Sequence, residues 1–367
     1  MLTRVFIDNF RCFVNFEFLP ESHQLILGGN GSGKSSLMEA LRLLQRFAVE
    51  GDKAAGEALI GQRTRWSTQL KQTFQIHARL DGDEFIYVLT LEPTDTKGVR
   101  VVAEAVHLGV KPLLEFFLGE TTVYDHHHEP RVTYIFDWHR SALATITPQT
   151  GNAKLTRFQT WFSELFGFRI NPFAMMARAE SQSSIPHQDL TNIAEWYRHL
   201  LKTDPAANAA FVASLRASLE GFDSLELVAA GENVQVLSAE FEGEGEDRPR
   251  YTFSELSEGQ RCLISLYMIL HFVLAKGRTV LIDEPENFIS LREIQPWLAA
   301  ASDAIEDSGG QLLLVSHHPE LIDQWAPDFG VRFVRENGGP ARIKRFQGDP
   351  TSDLSPAELI ARGWENG

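Results

Sequence analysis

Two hydrophobic periods alternate along this chain. Val5 and Ile7, then Phe10, Phe13, Phe16 and Phe18, mark short extended segments around the turn-forming Asp8-Asn9, ending at Pro20. Gln24-Leu25-Ile26-Leu27 is a short apolar strand, and residues 36–44 carry the apolar face of a helix. Residues 74–80 and 85–91 flank Asp81-Gly82-Asp83 and predict a β-hairpin, with a further strand over Val99–Leu108. From about residue 111 to 230 the pattern turns mostly helical. Leu155, Phe158, Trp161, Phe162, Leu165 and Phe166 recur at helical spacing, as do Leu190, Ile193, Trp196, Tyr197, Leu200 and Leu201. Phe211, Val212, Leu215 and Leu219 form a third such face. A base-stacking surface would use similar aromatics, but a stripe at helical period is the mark of core packing.

After this segment the strand period returns. Val234-Gln235-Val236-Leu237 is followed by the acidic run 242–247, read as a solvated hairpin tip, and by Tyr251-Thr252-Phe253. Thr279-Val280-Leu281-Ile282 and Gln311-Leu312-Leu313-Leu314-Val315 are nearly continuous apolar runs. Such runs belong to parallel strands covered on both faces. The alternation of buried strands with helices predicts an α/β protein. No internal repeat or low-complexity tract interrupts it, and residues 347–367 form a tail with little pattern.

Composition adds bounds. With 367 residues, 43% hydrophobic and 23% charged, the chain can build one large or two medium domains. A net charge of −15 means that the whole molecule repels nucleic acid, so any such contact needs a local basic patch. Arg332, Arg335, Arg342, Lys344 and Arg345, against Glu336, are the candidates, with an ordinary solvated hairpin as the favoured alternative. Cys12 and Cys262 are the two cysteines, in no metal spacing, and are expected to be buried in a reducing compartment. No apolar run is long enough for a membrane span and no signal-peptide architecture opens the chain, so a cytoplasmic protein without a membrane partner is expected. His126-His127-His128 reads as a solvated loop, since adjacent histidines rarely converge on one ion.

The most specific chemistry lies in Gly28-Gly29-Asn30-Gly31-Ser32-Gly33-Lys34-Ser35, which fits the phosphate-loop pattern G-x-x-x-x-G-K-[ST] between a strand and a helix. Glycines let backbone N–H groups curl around an anion, and the helix N-terminus adds positive potential. Lys34 is placed to reach β- and γ-phosphates, Ser35 to hold Mg²⁺, and Asn30, Gly31, Ser32, Gly33 and Ser36 to line the nucleotide.

A second cluster follows. The strand ending in Asp283-Glu284 places two acids at a sheet edge, Asp283 suited to Mg²⁺ and Glu284 to polarising a water. Ser257, Gly259 and Gln260 open a helix and suit a second anion site, although Ser257 taken alone reads first as a helix cap. His317, in Val315-Ser316-His317-His318-Pro319, follows the last buried strand and suits a γ-phosphate sensor, in preference to His318 or to a plain surface histidine.

Together these residues resemble the ABC-type ATPases, in particular their RecF-like, SMC-related and OLD-like branch. Gly28 to Ser35 looks like the Walker A motif, and Leu281 to Glu284 like the Walker B end with its catalytic Glu284. Leu256 to Gln260 is similar to the LSGGQ signature, with Glu258 replacing the first central glycine. Val315-Ser316-His317 looks like the switch histidine, and Asp283-Glu284-Pro285-Glu286-Asn287 like this branch's DEPEN run. Asp8 to Phe13 resembles the "NFR" strand, whose Arg11 approaches nucleotide. Gln62 and Gln72 are the Q-loop candidates. Phe288-Ile289-Ser290-Leu291 departs from the branch's "HLHP"-like run and bears on the inter-subunit contact.

The resemblance implies an ABC-type head, a mixed sheet flanked by helices, formed by residues 1–110 and 230–346, with 111–229 as an inserted, mostly helical lid. It implies ATP hydrolysis with Mg²⁺ in a head-to-tail homodimer or higher homo-oligomer, each ATP capped by Ser257 of the other subunit. The spacing of the motifs differs from transporter ATPases. Sustained heptads and a zinc hook, marks of SMC proteins, are missing, and too few residues follow Glu284 for an OLD nuclease domain. The expectation is a stand-alone ATPase resembling components of anti-phage systems such as Septu, controlling a separate nuclease or toxin. The alternative is a RecF-like DNA-repair ATPase with DNA as partner. A nucleotide-locked scaffold is the third reading, which Glu284 argues against.

Overall fold

The computed structural model describes residues 1–95, 98–125, 127–243, 248–346 and 354–362. Contacts divide these into two compact units. The first contains residues 1–165 and 328–346, the second 166–327 and 354–362. The division falls at Leu165, inside the segment expected as an insertion.

In the first unit eight strands form an antiparallel sheet. Their order is Phe16–Phe18, Leu2–Asp8, Gln72–Leu80, Asp83–Pro93, Val99–Leu108, Lys111–Phe117, Glu120–Tyr124 and Pro130–Ile135. The expected hairpin is present. Leu80 pairs with Asp83, and Asp81 and Gly82 both take positive φ (51° and 85°), the two-residue turn that matches strand twist. Phe85, Tyr87, Leu89 and Leu91 alternate inward, and the helix Ala153–Ser163 lays Phe158 against Phe85 with ring centroids 5.8 Å apart. That aromatic stripe is core.

Residues 111–135 correct the helical reading of that stretch, for they continue the sheet as three strands. Leu114 and Phe116 are buried on either side of a half-exposed Glu115, a period of two that a helical template overlooks in so short a run. The Asn9–Phe13 stretch is likewise not a strand but a turn closed by an isolated Phe10–Phe13 bridge, with Asn9 and Arg11 at positive φ. This unit also holds the strand His23–Leu27, wholly buried, with Gly330–Val334 parallel to it and Arg342–Arg345 antiparallel beyond.

In the second unit Phe166–Phe168, Thr279–Asp283 and Gln311–Val315 form a parallel array, the last two buried throughout as their composition requires. A small antiparallel sheet joins Arg178–Ala179, Gln235–Phe241, Phe222–Ala229 and Arg250–Thr252. The helices Ile193–Thr203 and Pro205–Ser218 bury Ile193, Trp196, Tyr197, Phe211 and Leu215, so these stripes too are packing faces. Tyr197 finishes its burial by donating to the Leu225 carbonyl at 3.0 Å. The helix Glu258–Phe272 is buried almost all round, and Trp297 of Leu291–Ser308 donates to its Leu266 carbonyl at 2.9 Å. Both cysteines are buried. Burial pushes the Cys12 thiol up and that of Cys262 to about 12, which keeps them in the inert thiol form. Of the expected acidic hairpin tip, residues 244–247 lie outside the described residues, as do His126 and most of the tail.

Candidate functional site

The glycine loop grows out of His23–Leu27 and ends at the helix Lys34–Ala48. Gly28, Gly31 and Gly33 all take positive φ (142°, 76° and 118°), which L side chains resist. At Gly28 the requirement is also spatial, since a Cβ there would lie 2.4 Å from the Phe333 carbonyl oxygen. Gly33 is the N-cap of the helix and brings no capping side chain. Gly29, Asn30, Gly31 and Ser35 are exposed, while Lys34 is buried and its Nζ donates to the carbonyls of Gly28 and, at 3.2 Å, Gly29. Ser32 Oγ is buried without a hydrogen-bond partner. Ser36 hydrogen-bonds Cys12, whose Sγ would lie 3.0 Å from a Cβ at Gly33.

Arg11 and Gln62 belong together. The Arg11 backbone N–H donates to the Gln62 carbonyl at 2.7 Å and its Nε to the Gln62 side chain. The other Q-loop candidate, Gln72, is fully buried and donates to the carbonyls of Asn9 and Leu59, a structural task. Sequence reading missed the part played by Arg335. Its Nη1 donates to the Gly31 carbonyl at 3.0 Å, its Nε and Nη2 to Gly339 and Gly338, and its guanidinium lies 4.9 Å from the Trp66 ring centroid. A loop buttressed from outside by a distant arginine has no local sequence signal. The rest of the basic hairpin is engaged as well: Arg342 with the Val14 carbonyl at 2.9 Å, Lys344 with Glu336 at 2.9 Å, Arg345 with the Asp328 carbonyl at 3.4 Å.

The second unit holds the acids and the helix start. Ser257 caps Glu258–Phe272 in a capping box: Gln260 N–H donates to Ser257 Oγ at 3.2 Å, and Ser257 N–H to Gln260 Oε1 at 3.0 Å. Gly259 is required by space, since its Cβ would meet the Phe288 carbonyl oxygen at 2.7 Å. Glu258 pairs with Arg261 one turn on, at 3.3 Å.

Asp283 ends its strand buried. Glu284 follows at positive φ (52°), its N–H held by the Val315 carbonyl at 2.8 Å and its Oε2 accepting from Asn287 Nδ2 at 2.7 Å. That left-handed backbone conformation is costly for a residue that carries a side chain. Glu286 is buried, and its Oε1 accepts from Ser316 Oγ and from the His317 N–H. The His317 side chain is exposed, whereas His318 Nδ1 accepts from the Glu320 N–H at 3.3 Å. Thus Asn30 to Ser36 and Arg11 lie in the first unit, and Ser257, Gly259, Gln260, Asp283, Glu284 and His317 in the second. No cluster of three or more metal-binding side chains occurs among the described residues, and none of their helices is long and apolar enough to cross a membrane.

No curated protein matches the chain. Among solved structures, an Smc head bound to the C-winged helix domain of ScpA superposes with a TM-score of 0.55 at 14% identity, covering 94% of this chain and 97% of that one. The SMC head domain from Thermotoga maritima gives 0.51 at 13% identity, with 95% and 99% covered. An Smc head domain with an extended coiled coil, bound to the C-terminal domain of ScpA derived from Pyrococcus furiosus, gives 0.53 at 12% identity, with 100% and 99% covered. The fold is therefore the mixed α/β architecture of the ABC-type P-loop ATPase head. A family model described as "AAA domain, putative AbiEii toxin, Type IV TA system" matches residues 25–323, most of the chain, and the chain belongs to that family.

Proposed function

We propose that this protein binds and hydrolyses ATP with Mg²⁺ and uses its nucleotide state to control a separate effector protein, a nuclease or a toxin, in bacterial anti-phage defence. One observation carries the nucleotide reading. The buried strand, three positive-φ glycines and a helix whose N-cap has no side chain leave backbone donors and a helix dipole directed at an anion. The other helix start, at Ser257, is closed by its own side chains.

In this reading Asn30, Gly31, Ser32, Gly33 and Ser36 cradle the phosphates. Lys34 exchanges its loop carbonyls for phosphate oxygens, and Arg11 contributes from the preceding turn. Ser35 and Asp283 are hard oxygen donors and suit magnesium, which would neutralise charge on the β- and γ-phosphates. Glu284 accepts the proton of the attacking water, and His317 contacts the γ-phosphate and registers its departure. Ser257, Gly259 and Gln260 cap a nucleotide held by a second subunit, giving a dimer that hydrolysis releases. An effector docks on helical surface within residues 166–229, the part of the expected insertion that falls in the second unit, and the site of action is the cytoplasm.

The RecF-like reading, with DNA as partner, is less well supported. The charged groups of the basic hairpin serve internal hydrogen bonds and ion pairs, and the net charge is −15. Co-purification from the native operon at low salt, with ATPase activity measured on the eluate, tests both. A stoichiometric neighbour-encoded nuclease or toxin is the expected result. A solitary protein whose ATPase rises with DNA ends supports repair instead, and no ATPase under either condition removes the enzymatic reading.

A further inference from the structure

We propose that Trp66 is the surface on which the base of the bound nucleotide stacks, and that it gives the protein a preference for a purine over a pyrimidine nucleoside triphosphate. The inference deepens the ATPase reading and rests on it. Every residue it uses lies in the first unit, together with the glycine loop.

Two separate routes bring Trp66 beside that loop. The first is the turn at residues 9–13. Its Cys12 and Phe13 pack on the loop, where a Cβ at Gly33 would meet Cys12 Sγ at 3.0 Å and a Phe13 ring carbon at 3.1 Å. The same turn holds the segment that carries Trp66. Arg11 N–H donates to the Gln62 carbonyl at 2.7 Å, and Thr64 N–H to the Asn9 carbonyl at 3.4 Å. Asn9 Nδ2 donates to the carbonyls of Gln69 and Lys71, at 2.8 Å each. The second route is Arg335. Its Nη1 donates to the Gly31 carbonyl at 3.0 Å, while its guanidinium carbon lies over the indole, 4.9 Å from the ring centroid.

Trp66 is nevertheless 45% exposed. A large apolar residue scattered singly on a surface needs no explanation. This one is held in place. Arg335 uses all three guanidinium nitrogens on the carbonyls of Gly31, Gly338 and Gly339, so the cation against the ring is itself fixed. With a guanidinium on one face, the exposure belongs to the other side of the indole. The ring offers a neighbouring ligand π surface and a single N–H donor, with no charge for a phosphate. What it suits is the flat, uncharged part of a nucleotide whose phosphates occupy the adjoining glycine loop. Stacking on an aromatic side chain accepts any base, and its strength grows with the area in contact, which favours the two-ring purines.

The test is isothermal titration calorimetry of the full chain with non-hydrolysable analogues of ATP and CTP and with inorganic tripolyphosphate, which needs no turnover. The wild type is expected to bind the ATP analogue most tightly and tripolyphosphate least. W66A is expected to weaken the ATP analogue about tenfold and the CTP analogue less, as for the loss of one stacked base. Tripolyphosphate is expected to stay within about twofold, which also shows that the loop of the variant is intact. W66F, with a smaller ring, is expected to recover part of the loss. An ATP analogue bound by W66A as by the wild type, or a loss as large for tripolyphosphate as for the ATP analogue, overturns the proposal and leaves Trp66 a buttress of the loop. So does a wild type that binds the ATP analogue no more tightly than tripolyphosphate. A wild type that binds none of the three overturns the ATPase reading and this inference with it.

Discussion

Glu286 Oε1 accepts a hydrogen bond from Ser316 Oγ at 2.5 Å and another from the backbone N–H of His317 at 3.3 Å. One buried carboxylate thereby ties the turn that follows Asp283 to the loop that carries the candidate phosphate sensor. Ser316 is fully buried, so its hydroxyl has no water to replace this partner. E286A is expected to leave that hydroxyl unsatisfied, at about 1–3 kcal/mol of stability, and to release the His317 backbone. The functional signature expected is a fall of about tenfold in kcat for ATP with KM little changed, because Glu286 positions a group used after binding. E286Q keeps an oxygen acceptor and is expected to retain more activity than E286A. Steady-state ATPase kinetics on both variants check this, and a loss confined to KM goes against it.

In the proposed reading, Glu284 is the residue on which hydrolysis rests. E284Q preserves shape and the hydrogen bond to Asn287, which the structure places at 2.7 Å, but removes the basic oxygen. Turnover is expected to drop by about 10²–10⁴-fold, the usual weight of a general base, with ATP still bound. The accumulated ATP-bound form should elute as a dimer in size-exclusion chromatography with ATP and Mg²⁺. Normal turnover by E284Q assigns the base elsewhere.

Much of this was legible in the residues themselves. The glycine loop, the buried strands ending at Asp283 and Val315, and the Asp81-Gly82 turn are local signals, each forced by backbone conformation or by burial. What escaped is long-range. Arg335 meets the Gly31 carbonyl across 304 positions of chain, and nothing near either residue announces it. Glu286 reads as one more acid in an acidic turn until Ser316 and His317 are folded against it. The strands within residues 111–135 were hidden because their apolar alternation is short and the neighbouring helical stripes are strong. Glu258, the departure in the signature-like run, is explained in part by its ion pair with Arg261.

Ser257 separates a structural role from a functional one. Its hydroxyl caps Glu258–Phe272, so S257A is expected to cost about 1 kcal/mol whatever the protein does. Aspartate is as good a cap but carries a negative charge. S257D is therefore expected to melt near the wild-type temperature and yet to lose ATP-dependent dimerisation, because the added charge repels a phosphate presented by the partner. Thermal melts and analytical ultracentrifugation with ATP read the two effects apart. A dimer that forms normally in S257D removes Ser257 from the inter-subunit contact.

His271 gives the same helix a dependence on pH. It lies in the last turn of Glu258–Phe272, half-buried, with Nε2 2.8 Å from Ser214 Oγ and its ring stacked near Tyr267. A helix C-terminus favours a cation, but burial prevails and lowers the His271 pKa below its ordinary value. The folded protein therefore keeps this imidazole neutral where the unfolded chain already takes up a proton. Stability from this group is complete above the unfolded pKa, is lost as the pH falls through about 6.5, and levels off only below the lowered folded value. H271N retains a partner for Ser214 without the titration. The melting temperature of H271N is expected to fall less than that of the wild type between about pH 7.5 and about pH 5.5. Parallel curves would show that another histidine, such as His77, whose pKa is also lowered by burial, governs the acid limb.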